Sequence, residues 1–285
     1  MKPLAHQSLP LSESVFVILR DLIQERIGLH YTLDKREALA DRLAGRVADR
    51  QFSSFLDYYY CLKYDADNGQ EWRYVHDALA IPETYFWREM DQIHALVDRL
   101  VPQHFSAFPD QPLRIWSASC ATGEEPLTIA MALAEAGWQG APAIEIWASD
   151  ASPVAIAAAR RGIYRERSFR NLPNELRKRY FIEEEGGSRI IPELHDRVQW
   201  AEVNLMDRAS VWPLANASII FCRNTFIYFA PEATEITVRL FAEAMPTPGY
   251  LFVGVSESLL KLTTDFELRE IDQAFVYVKT ATPAR

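Results

Sequence analysis

The sequence predicts an α/β protein in two parts, an all-helical amino-terminal domain followed by a doubly wound, mostly parallel sheet. Three observations predict this class. The first 80 or so residues show helical periodicity without strand-like alternation, short apolar runs alternate with helical stretches from residue 112 onward, and a loop of small residues follows the first run. We therefore divide the chain into a helical domain at 1–80, a linker at 81–110 and a sheet domain at 111–285.

Two amphipathic patterns define the helical domain. Apolar residues recur at intervals of three and four from residue 16 to residue 27, and the pattern stops at Gly28, which predicts a first helix. Asp34 and Glu37 have the spacing of an N-cap residue and its partner, so a second helix is expected to begin there. The aromatic-rich stretch up to residue 80 predicts further helices, and a linker helix is expected to reach Phe108.

Strands and helices alternate in the second part at the spacing of βαβ units. The predicted strands are 113–118, 143–149, 218–222, 250–256 and 275–279, and the predicted helices are 125–136, 153–161 and one that begins near Pro231. The helix at 153–161 has clear boundaries, because Ser152 can cap its start and Gly162 can end it. This order predicts a doubly wound sheet.

One segment interrupts that alternation. Residues 179–194 (RYFIEEEGGSRIIPEL) hold two short apolar runs around Gly186 and Gly187. Two such runs joined by a glycine turn are typical of a β-hairpin. We expect a small inserted β-hairpin subdomain at about 178–200.

Composition and charge exclude several function classes. The chain has 285 residues, 49% of them hydrophobic and 24% charged, which is an ordinary globular composition. Its formal net charge of -9 argues against nucleic acid and anionic lipid as partners. Three scattered cysteines without a CxxC pair predict neither disulfides nor a metal site. Without a leader pattern or an apolar stretch of about 20 residues, the sequence predicts a cytoplasmic protein with no membrane insertion.

The loop after the first predicted strand is the first candidate for ligand binding. In doubly wound sheets, ligands bind at the carboxyl ends of the strands, and here small residues from Ser117 and Ala118 onward allow a close approach to the backbone. Glu124 and Glu125 then open the helix, where two carboxylates repel phosphate and accept hydrogen bonds from an ammonium group. The loop therefore predicts a cationic amino-acid ligand.

The ends of two later strands supply further candidates. Asp150 ends the second predicted strand, where an acid can accept both hydroxyls of a ribose, although an Asp before Ser-Pro is as often a turn former. Asn204 and Leu205 follow another short run and can place an amide and an apolar wall around a base. For that pair, a loop Asn beside a core Leu is the simpler interpretation without further context.

Four short segments occur in a specific order along the chain. They are TYFWR at 84–88, TGEEP at 122–126, ASD at 148–150 and CRNTFIYF at 222–229. Together they resemble the CheR family of chemoreceptor glutamate O-methyltransferases, and the resemblance runs from about residue 15 to residue 278. Three departures stand out: Pro82 replaces a frequent Asn, Ser119 replaces the usual Gly, and Leu127 and Thr128 replace Tyr-Ser.

The resemblance implies a Rossmann-like class I methyltransferase sheet that binds S-adenosylmethionine and releases S-adenosylhomocysteine. The residues that it implies around the cofactor are Thr84, Arg88, Glu125, Asp150, Asn204, Leu205, Arg223 and Asn224. It also implies that Arg88 and Tyr228 face the acceptor as catalytic residues. The implied reaction forms methyl esters on glutamate side chains of a chemoreceptor-like protein.

This chemistry suits the residues in the motifs. A glutamate with a pKa of about 4.3 is already ionised at neutral pH, so no general base is needed, and the six histidines lie outside every motif. The enzyme then acts mainly by positioning, which predicts that Arg88 orients the acceptor. The aromatic residues expected to exclude water from the site are Phe86, Trp87, Phe226 and Phe229.

Arg42, Arg46 and Arg50 form a basic stripe on the second predicted helix. As in the family that it resembles, this stripe is expected to bind the cytoplasmic helical region of a chemoreceptor, with the enzyme acting as a monomer. Asp41 and Asp49 interleave with it, so an ordinary solvated face is about equally compatible. The predicted hairpin looks too short to bind a receptor tail.

Two other functions stay open at this point. A small-molecule carboxyl methyltransferase would not need the helical domain. A non-catalytic module that binds S-adenosylmethionine or S-adenosylhomocysteine would not need Arg88 and Tyr228.

Overall fold

A computed structural model describes residues 9–66, 68–138 and 144–279 of the chain. In the amino-terminal part the helices are α1 (Glu13–Ile27), α2 (Arg36–Asp49), α3 (Phe55–Tyr64) and α4 (Gly69–Leu79). The Ser12 hydroxyl caps α1, and Gly28 ends it with φ of 82°. The buried faces of these helices share one core that includes Phe16, Leu43 and Val75. The predicted helical domain is therefore observed.

The predicted start of α2 is wrong. A 3₁₀ turn at Leu33–Lys35 precedes the helix, and α2 begins at Arg36 without a side-chain cap. The Lys35 N–H donates to the Thr32 carbonyl oxygen at 2.9 Å, so the chain is already turning before Asp34 can act as an N-cap.

The linker contains a nearly continuous helical stretch after an irregular segment at 80–89. It consists of α5 (Met90–His94), a π-helical turn (Ala95–Leu100) and α6 (Val101–Ala107). This agrees with the linker helix predicted to reach Phe108.

Within the described residues, the second part of the chain contains the following strands and helices. The strands are β1 (Leu113–Ala118), β2 (Ile144–Asp150), β3 (Ile163–Tyr164), β4 (Phe181–Glu184), β5 (Gly187–Ile190), β6 (Val198–Glu202), β7 (Ile219–Phe221), β8 (Tyr250–Phe252), β9 (Phe266–Ile271) and β10 (Ala274–Lys279). The helices are α7 (Glu124–Glu135), α8 (Pro153–Arg161), α9 (Asn174–Tyr180), α10 (Pro192–His195), α11 (Arg208–Ala215) and α12 (Pro231–Ala244).

The large sheet is doubly wound. Its strand order is β6-β2-β1-β7-β8-β10-β9, and the first five strands in this order are parallel while β10 pairs antiparallel with both β8 and β9. The chain order runs outward in both directions from the centre of the sheet, which places the switch point between β1 and β7. Ligands are expected at the carboxyl ends of the strands beside this point.

Most predicted elements of the sheet domain are confirmed. The helix α8 is capped as expected, because the Ser152 hydroxyl accepts from the Ala155 N–H at 3.0 Å and Gly162 has φ of 65°. Residue 143, the predicted first residue of β2, lies outside the described residues. The sequence did not predict β9 or α11.

The inserted β subdomain is a three-stranded antiparallel sheet of order β3-β5-β4. The predicted hairpin is formed by β4 and β5, but β3 lies upstream of the expected range of 178–200. A side chain at Gly187 would lie 2.3 Å from the Tyr164 carbonyl oxygen, so glycine lets β3 pack against the hairpin. None of the helices in the described parts of the chain is long and apolar enough to cross a membrane.

The helical domain joins the sheet domain through several hydrogen bonds. The segment after α1 pairs with the segment before α12 through an isolated bridge between Leu29 and Phe229. Further along, the Asp77 carboxylate of α4 accepts from the Ser152 hydroxyl at 2.5 Å and from the Val154 N–H at 3.2 Å. These contacts bring helical-domain residues to the switch-point edge of the sheet.

Candidate functional site

A cavity of about 480 Å³ lies at the carboxyl ends of β1, β2, β6 and β7. Its size is typical of a site for a small ligand. The predicted site residues that line it are Thr84, Arg88, Glu125, Asp150, Asn204, Leu205, Arg223, Asn224, Tyr228 and Arg42. The fold thus brings together the residues of the four motifs from distant parts of the sequence.

Glu125 stands in the first turn of α7 and is held by two hydrogen bonds. Its Oε1 atom accepts from the Ser117 hydroxyl at 2.6 Å, and its Oε2 atom accepts from Arg223 Nε at 2.6 Å. A carboxylate has about four acceptor positions, so Glu125 can accept further hydrogen bonds from a cationic group in the cavity.

Arg223 connects this carboxylate to the segment that carries Arg88. Its side chain is only 3% exposed, and its Nη2 donates to the Arg88 carbonyl oxygen at 3.2 Å. Its Nη1 donates to the Glu89 carbonyl oxygen at 3.2 Å and to Gln92 Oε1 at 3.1 Å. Arg223 therefore fixes the cavity wall, and its charge is balanced by the half-buried carboxylates of Glu125 and Glu89 at 2.6 and 3.6 Å.

Asp150 lies at the end of β2, beside the loop that follows β1. Its Oδ2 atom accepts from the Ala121 N–H at 2.9 Å, and its Oδ1 atom accepts from the Ser152 N–H at 2.9 Å. Burial raises the pKa of this carboxyl group. Each oxygen keeps acceptor capacity for a hydroxyl group in the cavity.

The residues after β1 that line the cavity lie further along the chain than predicted. Ser117 and Ala118 do not line the cavity, because both are buried in the sheet and Ser117 acts through its bond to Glu125. The lining residues are Ser119, Cys120 and Ala121. Ser119 has φ of 58° and Ala121 has φ of 48°, so the loop is held in left-handed turns.

Glu124 does not share the site with its neighbour, contrary to the expectation of two carboxylates facing one ligand. It is 2% exposed and accepts from the Thr122 and Ser168 hydroxyls at 2.7 and 2.9 Å. Burial raises the pKa of its carboxyl group. Successive side chains on a helix point about 100° apart, so only Glu125 reaches the cavity.

The segment at 84–88 is anchored by its central aromatic residue. Phe86 is fully buried and stacks at 5.5 Å against Phe169, and the Phe86 N–H donates to the Ser168 carbonyl oxygen at 2.9 Å. Trp87 has φ of 67°, a rare value for a bulky residue. This bend leaves Arg88 at the cavity wall.

Arg88 keeps most of its donors free within the described part of the chain. Its Nη1 donates to the Glu83 carbonyl oxygen at 3.0 Å, and its Nε lies 3.7 Å from Glu89 Oε1. Two guanidinium groups lie over the Tyr85 ring, with that of Arg88 5.4 Å and that of Arg170 3.7 Å from the ring centroid.

Only one of the four aromatic residues expected to wall the site does so. Phe229 lines the cavity, whereas Phe86, Trp87 and Phe226 do not. Phe86 and Phe226 are buried, and Trp87 packs against the main core. Their side chains hold the motif segments in the fold instead.

The Asn204 amide is already bonded. Its Nδ2 donates to the Arg26 carbonyl oxygen at the end of α1 at 2.7 Å, and its Oδ1 accepts from the Met206 N–H at 3.0 Å. Asn204 therefore links the two domains at the cavity wall. Leu205 is buried beside it and offers the apolar surface that was predicted.

A residue missed by sequence reasoning holds the segment around Tyr228. Glu257 accepts from the Asn224 N–H at 2.9 Å, the Gly254 N–H at 2.6 Å and the Ile227 N–H at 3.1 Å. Burial raises the pKa of this carboxyl group in spite of those three bonds. The SES sequence at 256–258, with Glu257 at its centre, gives no signal for such a role.

The helical domain forms part of the cavity wall, which the sequence did not predict. Ile27 lines it from the end of α1, His76 lines it from α4, and the residues after α1 that line it are Leu29, His30 and Tyr31. Burial lowers the pKa of His76 to about 4, so this side chain is neutral near pH 7. The helical domain therefore shapes the site directly.

The basic stripe on α2 is mostly bonded within the domain. Arg46 makes two hydrogen bonds to the buried Glu71 carboxylate at 3.1 and 2.9 Å, and Arg50 lies 3.8 Å from the same carboxylate. Arg42 lines the cavity, but its Nη1 donates to the Leu79 carbonyl oxygen at 3.0 Å. Receptor binding by these arginines stays a prediction.

Two family models match the chain. Residues 82–275 match "CheR methyltransferase, SAM binding domain", and residues 15–80 match "CheR methyltransferase, all-alpha domain". The chain is 33% identical over 272 residues to "Chemotaxis protein methyltransferase 2" of Vibrio cholerae serotype O1, a match that covers 94% of both chains. It is 32% identical over 267 residues to "Chemotaxis protein methyltransferase" of Escherichia coli strain K12, which covers 92% of this chain and 91% of that relative.

Proposed function

The chain belongs to the CheR methyltransferase family, and from that premise we propose that it transfers the methyl group of S-adenosylmethionine to glutamate side chains of a chemoreceptor. The product is a glutamyl methyl ester. The observation that carries the proposal is that one cavity, at the switch point, is lined by Glu125, Asp150, Arg88 and Tyr228 together.

The hydrogen-bond acceptors and apolar side chains of the cavity fit S-adenosylmethionine. Glu125 keeps acceptor positions for the amino group of its methionine part, and Asp150 keeps acceptor positions for the two ribose hydroxyls. Leu205 and Ala155 offer apolar surface for the base. In the loop after β1, Ser119 and Ala121 have left-handed backbone conformations, and this loop brings the backbone close to the ligand.

The chemistry requires positioning more than proton transfer. When bound, S-adenosylmethionine supplies a methyl group that its sulfonium charge has already activated. A glutamate acceptor is ionised at neutral pH, so the protein needs no general base at the site. Orientation of the two reactants can lower the barrier by roughly 7 to 11 kcal/mol.

Arg88 and Tyr228 are the groups that we assign to the acceptor. Arg88 uses one donor on the Glu83 carbonyl oxygen, which leaves others for a carboxylate. The Tyr228 hydroxyl makes no hydrogen bond to another described residue, so it too can bond the acceptor. Weak hydrogen bonding to the acceptor carboxylate favours the reaction, because a bidentate bond from Arg88 would stabilise the charged ground state more than the transition state.

We assign receptor recognition to the helical domain at 1–80, catalysis to the domain at 111–285, and the Arg88 segment to the linker at 81–110. Lys35, directly before α2, and Ala38 and Arg42 on α2 line the cavity, so a receptor helix laid against α2 would present its glutamates there. We propose that a monomer acts in the cytoplasm on the helical region of the receptor.

The two other functions fit less well. A small-molecule methyltransferase would have no use for a helical domain that lines the cavity. The alignment with the Vibrio cholerae relative covers 94% of this chain and so includes most of that domain. A non-catalytic module would have no use for Arg88 and Tyr228 in the cavity.

The test is methylation of a purified chemoreceptor cytoplasmic fragment with labelled S-adenosylmethionine. We expect base-labile methyl esters on glutamates, located by mass spectrometry. Arg88→Ala and Tyr228→Phe are each expected to lower the transfer rate by roughly 100-fold, the effect of misplaced reactants, while S-adenosylhomocysteine binding changes far less.

Arg99→Ala serves as the matched control, because the exposed Arg99 side chain pairs with Asp272 and does not line the cavity. Equal losses of transfer and of product binding in the Arg88 and Tyr228 variants would refute their assigned roles. No esters on any receptor fragment, with turnover of a small carboxylic acid instead, would refute the proposed substrate.

A further inference from the structure

The segment that follows α1 contacts the backbone of Tyr228. We propose that Gly28, Leu29 and His30 position Tyr228 for methyl transfer, so that a part of the helical domain sets the geometry of the catalytic site. The inference rests on the proposed function, because it assigns a partner to a residue that acts there.

Two hydrogen bonds and one bridge define this contact. The His30 N–H donates to the Tyr228 carbonyl oxygen at 2.8 Å, and the Ala230 N–H donates to the Gly28 carbonyl oxygen at 3.0 Å. Leu29 and Phe229 form the antiparallel bridge between these bonds. The Tyr228 segment is therefore fixed on one side by a short ladder from the helical domain.

Glycine is required at position 28 for two separate reasons. Its φ of 82° is the left-handed C-cap of α1, and a side chain there would also meet the Phe229 ring. An added Cβ atom would lie 2.6 Å from Phe229 Cε2. Any other residue must therefore displace Phe229, and with it the neighbouring Tyr228.

The direction of the Tyr228 side chain depends on this backbone contact. Tyr228 ends a short 3₁₀ turn at Phe226–Tyr228, and its hydroxyl makes no hydrogen bond to another described residue. Glu257 holds the other side of the same turn through the Asn224 and Ile227 N–H groups. The turn is thus held on one side by the segment after α1 and on the other side by Glu257 of the sheet domain.

The first test compares Gly28→Ala with Gly137→Ala. Gly137 has φ of 84°, close to that of Gly28, but an added Cβ atom there would meet nothing within 4 Å. Both variants pay the backbone cost of alanine in the left-handed region, and only Gly28→Ala displaces Phe229. We expect kcat for receptor methylation to fall roughly 10- to 100-fold in Gly28→Ala and to stay unchanged in Gly137→Ala.

The second test repeats Gly28→Ala in a Tyr228→Phe background. If Gly28 acts through Tyr228, the added substitution causes little further loss of kcat, because the group that it misplaces is already removed. His30→Pro removes the N–H donor to Tyr228 together with the imidazole, so its kcat is compared with that of His30→Ala, which keeps the N–H. The extra loss in His30→Pro is expected to be non-additive with Tyr228→Phe in the same way. Thermal unfolding and S-adenosylhomocysteine binding establish that each variant is folded.

The outcomes separate the two proposals. If Tyr228→Phe retains full activity, the catalytic role of Tyr228 fails and this inference fails with it. If Tyr228→Phe loses activity but Gly28→Ala reduces kcat by the same factor in both backgrounds, Gly28 acts independently of Tyr228 and only this inference is overturned. The same holds if Gly28→Ala weakens S-adenosylhomocysteine binding as much as it lowers kcat.

Discussion

Ser119 holds a backbone conformation that suits glycine better than serine. Its φ is 58°, in the left-handed region that favours glycine. The Ser119 hydroxyl makes no hydrogen bond to another described residue, so nothing offsets the steric cost of its Cβ atom.

We expect Ser119→Gly to raise the free energy of unfolding by about 0.5 to 1 kcal/mol, because the strain relieved exceeds the extra entropy of glycine in the unfolded chain. Chemical denaturation measures it. Ser54→Gly is the matched control, because Ser54 has φ of -152° and caps α3, and its loss is expected to lower stability by a few tenths of a kcal/mol. A lower free energy of unfolding in Ser119→Gly than in the wild type would contradict the claim that the Ser119 backbone is strained.

At the scale of single residues, the motifs predicted which side chains line the cavity better than what those side chains bond. Glu125 and Asp150 were recognisable because they follow strands of a doubly wound sheet. The bonds of Asn204 to Arg26 and of Glu257 to three N–H groups were not, because they join segments far apart in sequence. No local pattern encodes such contacts.

Among the secondary-structure elements, the contact between α4 and the start of α8 is the clearest link between the cavity and the helical domain. The Asp77 carboxylate accepts from the Ser152 hydroxyl and the Val154 N–H, directly after Asp150 in the chain. A carboxylate at a helix start is favourable, because it accepts from free N–H groups and interacts well with the helix dipole.

Asp77→Ala is therefore expected to lower the free energy of unfolding by about 1 kcal/mol and to weaken S-adenosylhomocysteine binding, since the Asp150 loop loses one support. Asp41→Ala, on the outer face of α2, serves as control and is expected to change stability by less than about 0.5 kcal/mol. Calorimetry measures both quantities. Unchanged binding in Asp77→Ala would show that α4 does not support the cofactor site.

The elements that the sequence failed to predict have identifiable causes. The edge strand β9 has a mostly exposed, charged sequence (FELREI), which lacks the apolar run of the central strands. The helix α11 contains Pro213, which usually argues against a helix. The central strands were predictable because burial on both faces leaves continuous apolar runs.

At the scale of the whole molecule, the two domains build one site. Sequence patterns predicted each domain, but not that residues after α1 and in α4 would line the cavity, because docking of domains depends on surface shape and not on local periodicity. Hydrogen bonds from the segment after α1 and from Asp77 to the sheet domain lie around that cavity, while the Arg73–Glu202 ion pair joins the domains at the end of β6, outside the cavity lining. On the proposed function, a receptor bound to the helical domain would lie close to Arg88 and Tyr228.

The central claim is that Glu125 and Asp150 hold the cofactor in this cavity, and calorimetric titration with S-adenosylhomocysteine tests it most directly. A hydrogen bond to a charged group is worth about 1.5 to 3 kcal/mol, so Glu125→Gln and Asp150→Asn should each weaken binding roughly 10- to 100-fold. Glu124→Gln, whose carboxylate points away from the cavity, should bind like the wild type. Wild-type affinity in both Glu125→Gln and Asp150→Asn would contradict the account.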